Sequence, residues 1–186
     1  MALSFAGNGT ITGLSVGGLP DGTVDADTLA SGVGGKVLQC LQAVQTAVVT
    51  TTSTSLVDVT GLTQAIIPSA TSNKILIYAH VASSSNDSGN VFQLVRDSTA
   101  IFQGDSGDNS ETQGSFAVYG AAGNTHDINL ASACFLDSPS STSSITYRLQ
   151  WKCISGSTNY LNQNRRDSGV SDTRLASSIT VMEISS

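Results

Sequence analysis

Charge, aromatic side chains and long apolar runs are all scarce in this chain, and each scarcity removes a class of function. Only 12% of the 186 residues are charged, with eight Lys and Arg against fourteen Asp and Glu, a net charge of -6. The few cations are scattered rather than clustered, so binding nucleic acid by neutralising its phosphates is not expected. No apolar run reaches bilayer-spanning length, which predicts no membrane insertion. The opening "MALSFAGNGT" lacks the basic and continuous apolar regions of a secretory signal, which predicts synthesis in the cytoplasm.

Cysteine is equally sparse. Cys40, Cys134 and Cys153 form an odd set with no CxxC pair, unlike an exported disulfide scaffold, and all three are expected as buried free thiols. The two histidines, His80 and His126, sit in neither HExxH nor paired-ligand spacing, and no G-x-S-x-G elbow occurs. Asp and Glu fall mainly in loop-like stretches rather than as a carboxylate pair suited to glycoside cleavage. No catalytic residue, metal ligand or cofactor is predicted. The acidic stretch "GDSGDNSETQG", residues 104–114, departs from the calcium-loop pattern and reads as a solvated loop.

What the chain does have is Ser, Thr and 18 Gly spread among short alternating segments. In "SITYRLQWKCIS" the residues Ile145, Tyr147, Leu149, Trp151 and Cys153 interleave with Thr146, Arg148, Gln150 and Lys152. A period of two places the first set in a core and the second in water. "KILIYAHVAS" differs, because Ile75, Ile77, Ala79 and Val81 make one apolar face while Leu76, Tyr78 and His80 make a second, only partly polar one. A strand of that kind is covered on both sides. Leu76, Tyr78 and His80 are therefore the candidate interface with another copy of the chain.

"NVFQLVRDSTAIFQGD" predicts a hairpin turning at Asp97-Ser98. Further strands are expected at 47–51, 56–67 (broken near Gly61), 115–120, 127–136, 157–162 and 174–184, separated by loops at 83–90, 104–114, 137–144 and 163–173. The stretch 37–46, "VLQCLQAVQT", fits a strand or a short helix. The fold class that follows is all-β, a jelly-roll-like antiparallel sandwich knob over residues 37–186. Residues 1–36 spread single apolar side chains among Gly, Thr, Asp and Ser and cannot close a core, which predicts an extended attachment segment.

Several stretches together, "GLSVGGLPDGTVDADTLA", "TSLVDVTGL", "TSNKILI", "LVRDSTAI", "FLDSP" and "SSITVMEI", resemble a family of tail-fibre-like virion proteins of bacteriophages, marine and cyanobacterial phages in particular. The resemblance implies a structural rather than a chemical role. It implies a homotrimeric knob on the virion surface, docked by residues 1–36 on a virion protein and meeting a host cell-surface glycan or protein. A capsid-bound decoration protein or head spike, stabilising the head or aiding weak adhesion, is the alternative placement. Candidate receptor contacts are Asp105, Asp108, Asn109 and Glu111 in the acidic loop, with Tyr119 and Tyr160 as aromatic surfaces for a sugar ring.

Overall fold

The computed structural model describes residues 4–5, 11–12, 36–85, 89–106, 111–120, 126–170 and 172–186. The chain divides into Met1–Lys36 and Val37–Ser186. In the first unit β1 (Ser4–Phe5) pairs antiparallel with β2 (Ile11–Thr12). The expectation of an extended docking segment falls otherwise on residues outside those described.

The second unit is all-β among the described residues. Its strands are β3 (Val37–Gln45), β4 (Val49–Thr51), β5 (Val57–Ile66), β6 (Lys74–Ser85), β7 (Asn90–Arg96), β8 (Thr99–Ile101), β9 (Phe116–Val118), β10 (Asn129–Asp137), β11 (Ile145–Cys153), β12 (Asn159–Leu161) and β13 (Ser177–Ile184). Every pairing is antiparallel. One sheet runs β3-β13-β6-β10, with the short β12 and β4 continuing alongside the far end of β6. The other runs β5-β11-β7, with β8 and β9 sharing the outer edge of β7. Apart from β4, β8 and β12, the strands pass between the sheets in the order of a jelly roll, alternating except that β7 and β9 share the second sheet.

Alternation in the sequence becomes burial in the sandwich. Ile145, Tyr147, Leu149, Trp151 and Cys153 of β11 all face the core, as do Ile75, Ile77, Ala79 and Val81 of β6. Between them lie Phe92 and Leu94 of β7 and Ile179 and Val181 of β13. Phe92 stacks between Phe116, at 5.1 Å, and Trp151, at 6.0 Å between ring centroids. Each such side chain contributes about 1.5–3 kcal/mol by leaving water, so this cluster is the main source of stability.

The Asp97-Ser98 hairpin forms, with Arg96 opposite Thr99 and Asp97 at φ 52°. Asp tolerates the left-handed region better than most residues. β5 does not end at Gly61. It carries an irregularity there, with Gly61 at φ 85°, and the inward set changes phase from Val59 to Leu62 and Ile66. The bulge keeps both halves on the core.

One open alternative is settled and two expectations need correction. Residues 37–45 are a strand, which settles the ambiguous stretch. Residues 83–85 are not loop but the end of β6, paired with β12, and Ser83, Ser84 and Ser85 are buried. Their hydroxyls are used internally: Ser83 Oγ donates to Tyr160 O at 2.9 Å and Ser84 Oγ to Gln163 O at 2.9 Å. Finally, only Cys153 of the three free cysteines is buried, whereas Cys40 and Cys134 are exposed. Both stand on the outer face of the first sheet, where the alternation of β3 and β10 directs them away from the core.

Candidate functional site

The outer faces of the two sheets differ in chemistry. On β5 and β11 the outward residues include Asp58, Thr63, Thr146, Arg148, Gln150 and Lys152, and Asp58 lies 3.2 Å from Arg148 and accepts from Gln150 Nε2 at 2.8 Å. That is the hydrated half of an amphipathic sheet.

The outer face of the first sheet carries no charge in its central rows and sets apolar side chains among a few neutral polar ones. The register aligns Cys40, Met182, Leu76 and Leu136 in one row and Gln42, Thr180, Tyr78 and Cys134 in the next. A third row holds Val44, Ser178, His80 and Ser132, beyond which Ala82 lies opposite Leu130. Tyr78 is 42% exposed, Leu130 62% and Val44 54%. No Asp, Glu, Arg or Lys occupies these rows, and Lys74 comes only at the lower margin. The three candidate interface residues, Leu76, Tyr78 and His80, therefore lie side by side along the middle of one continuous face. Among the described residues Tyr78 remains 42% exposed, so the strands of the sandwich leave the second face of β6 partly open there.

The candidate receptor contacts are partly gathered. Asp108 and Asn109 lie outside the described residues. The neck of their loop is closed by Gly104 N donating to Gly114 O at 3.2 Å and Gln113 Nε2 to Gly104 O at 3.0 Å. Asp105 and Glu111 flank that neck, both exposed, with Asp105 Oδ1 accepting from Ser106 N at 2.7 Å. Gly114 fits against β7 only because it has no side chain: a Cβ would stand 2.3 Å from Val91 Cγ1 and 2.9 Å from Phe92 O. Beside it, Val91, Thr112, Gly114, Phe116, Ala117 and Tyr119 line a pocket of about 190 Å³. Tyr119, 63% exposed, thus joins the acidic loop at one place. Tyr160 does not. It is half-buried on β12 in the other sheet, between Thr50 and Ser84.

Two polar clusters escaped sequence reasoning. Glu183, 1% exposed, accepts from Gln39 Nε2 (2.6 Å), Asn73 Nδ2 (2.6 Å), and Ser69 N (2.6 Å) and Oγ (2.7 Å). Burial pushes its pKa up, but the bonds from Gln39, Asn73 and Ser69 outweigh that and hold it at about 2. The bonds tie the 67–73 connection to β13 and β3. The only hint in the sequence is a lone Glu in an otherwise uncharged strand.

The second cluster joins His126 to the 163–173 connection. His126 Nε2 lies 2.9 Å from Arg166 Nη1, and its Nδ1 is 3.8 Å from Asp172 Oδ1. Asp172 accepts from Asn164 Nδ2 at 2.9 Å and from the backbone N–H groups of Ser168 and Gly169, which hold its carboxyl at about 2. Ser, His and Asp are all present here, but the guanidinium of Arg166 occupies the imidazole nitrogen that would have to take a serine proton, and Ser168 Oγ accepts from Arg166. The geometry ties two loops together and does not activate a nucleophile.

Burial raises the pKa of the Cys153 thiol, disfavouring the thiolate. Among the described residues no three His, Cys, Asp or Glu side chains converge as metal ligands. Among the described residues, too, no helix is long and apolar enough to cross a membrane. A scan against protein-family models finds no match to this chain, and a search of curated proteins finds none either.

Proposed function

We propose that this chain is a non-enzymatic structural protein of a bacteriophage virion, a homotrimeric tail fibre or spike. Residues 1–36 dock on a virion protein, and the sandwich of residues 37–186 meets the host surface. The observation that supports this reading is that Val37–Ser186 is a compact unit with a hydrophobic core of its own, which among the described residues runs from Val59 to Val181. The knob's stability therefore leaves the opening segment available for attachment. Its scattered Leu and Val side chains, at about 25 cal/mol per Å² buried, offset the entropy of ordering only against a preformed surface.

The pocket beside Tyr119 and the neck of the acidic loop supports host contact at that rim, with Asp105 and Glu111 as hydrogen-bond acceptors for a glycan or protein. Deleting residues 1–36 tests the reading. The truncated chain is expected to fold with Trp151 buried but to be lost from purified particles. Particles that retain it at full occupancy contradict docking through this segment. Electron microscopy of particles carrying a label on the chain separates the two placements, since a label on the head rather than the tail favours decoration.

A further inference from the structure

We infer that the outer face of the β3-β13-β6-β10 sheet is the surface through which copies of this chain meet. The inference rests on the homotrimer reading above and assigns it a specific face. The register sets Cys40 and Val44 of β3, Met182 of β13, Leu76 and Tyr78 of β6, and Leu130, Cys134 and Leu136 of β10 on one side of one sheet, and Leu38 lies exposed at the irregular end of β3. Leu38, Val44, Tyr78, Leu130 and Leu136 are all among the exposed large hydrophobics. A sheet with one face in the core ordinarily turns charged and polar residues to the other, as β5 and β11 do; this face carries Gln42, Thr180, Ser178, His80 and Ser132 but no charged side chain in its three rows, and sets exposed apolar side chains among them.

The occupant follows from area and charge. Four strands at about 4.8 Å spacing and nine residues at about 3.3 Å rise make a face on the order of 500 Å² in plan, before side-chain relief is counted. A standard protein interface covers about 800 Å² per partner, and the largest apolar patch on a typical monomer is about 300–600 Å² and often functional. The face is thus the right size for a contact between folded domains, too broad and shallow for a small ligand. The whole chain carries a net charge of -6, yet no carboxylate lies in the three rows around Leu76, Tyr78 and His80. Two copies meeting through these rows bring no like charges together. Each copy exposes the same apolar side chains, Val44, Tyr78, Leu130 and Leu136, so mutual burial removes both sets from water. His80 and Gln42 add polar groups that set orientation at little cost, as is usual where aromatic and aliphatic anchors dominate.

Cys40 and Cys134 make the face directly measurable. Both lie on it, while Cys153 is buried in either case. The full native chain is treated with N-ethylmaleimide in parallel with Tyr78→Lys, which places an ammonium at the centre of the face on a side chain that the monomer leaves 42% exposed. Size-exclusion chromatography gives the oligomeric state of each, and Trp151 fluorescence reports that the sandwich is intact.

The expected result is an oligomeric wild type in which Cys40 and Cys134 react at least tenfold more slowly than in a folded, monomeric Tyr78→Lys. If Tyr78→Lys does not fold, Leu130→Ser, at a position 62% exposed, serves the same comparison. An oligomeric wild type with both thiols as reactive as in the variant overturns the face and leaves the trimer reading standing. A dimer with both thiols protected supports the face and overturns the threefold reading. A monomer at tens of micromolar overturns both.

Discussion

Tyr147 Oη donates to Asp137 Oδ2 at 2.7 Å, joining β11 of one sheet to the last residue of β10 in the other. Arg96 on β7 closes the arrangement, with Nη1 at 2.8 Å from both Asp137 oxygens. Asp137 is 6% exposed, so its charge is sustained by these partners rather than by water. Burial first, then the bond to Asp137 and its charge, push the Tyr147 phenol well above its ordinary value of 10.0.

Tyr147→Phe should cost about 1–2 kcal/mol, the loss of one hydrogen bond to a charged acceptor. Asp137→Ala should cost about 3–5 kcal/mol, since it strands Arg96 and the phenol together. Urea denaturation of the two variants checks the order, and equal costs contradict the account. The raised phenol pKa adds a sign: the unfolded chain releases this proton near pH 10 while the folded chain holds it. Stability is therefore fully present below about pH 10 and falls as pH rises beyond it.

Glu183 gives the opposite dependence. Its folded pKa of about 2 lies below its unfolded value of 4.5, so its contribution is present above pH 4.5 and is lost as pH falls through about 2. The difference corresponds to about 3 kcal/mol at neutral pH as an order of magnitude. Glu183→Gln should be less stable than wild type at pH 7, and the gap should narrow between pH 4.5 and 2. Urea midpoints at pH 7, 4 and 2.5 measure it, and a gap constant with pH means that the carboxylate is not what holds the 67–73 connection.

Gly114→Ala should displace the acidic loop while sparing the core. The added Cβ meets the Phe92 carbonyl, which belongs to a core strand and cannot yield as a side-chain tip would. A loss of about 1–3 kcal/mol is expected from the forced shift. Faster amide exchange should be confined to the 104–115 region. Unchanged exchange there contradicts the packing of Gly114 on β7.

The elements that were legible in the sequence are those whose two faces differ in polarity. β11 is the clearest: apolar and polar residues alternate from Ile145 to Cys153, and every odd member is in the core. β3 was ambiguous for a physical reason. Its outward residues include the apolar Cys40 and Val44 beside Gln42, because they belong to an uncharged, partly apolar sheet face. Its inward residues include the polar Gln39 and Gln45, which bond to Glu183 and to Thr60 O, beside Leu41 and Ala43. The pattern that marks a half-buried strand is thereby blurred. The same face explains why Cys40 and Cys134 read as core residues.

Polar interiors were the other blind spot. "SSS" at 83–85 has the composition of a loop, yet it ends a buried strand, with Asn90 Nδ2 bonding to Ser83 Oγ and Ser84 O beneath it. Of the candidate sites, Leu76, Tyr78 and His80 fall on one side of β6, as their alternation with the buried Ile75, Ile77 and Ala79 in the sequence requires. The pocket beside Tyr119 was not legible in the sequence, since it depends on Gly114 folding back onto β7, a contact that no local pattern encodes.

The central claim is that copies of this chain associate through the apolar face around Tyr78. Sedimentation equilibrium of the full chain at micromolar concentration tests it most directly when run beside Tyr78→Lys. The account predicts a species of three times the 19.0 kDa chain mass for wild type and the single-chain mass for the variant. Wild type and variant sedimenting with the same mass would contradict it.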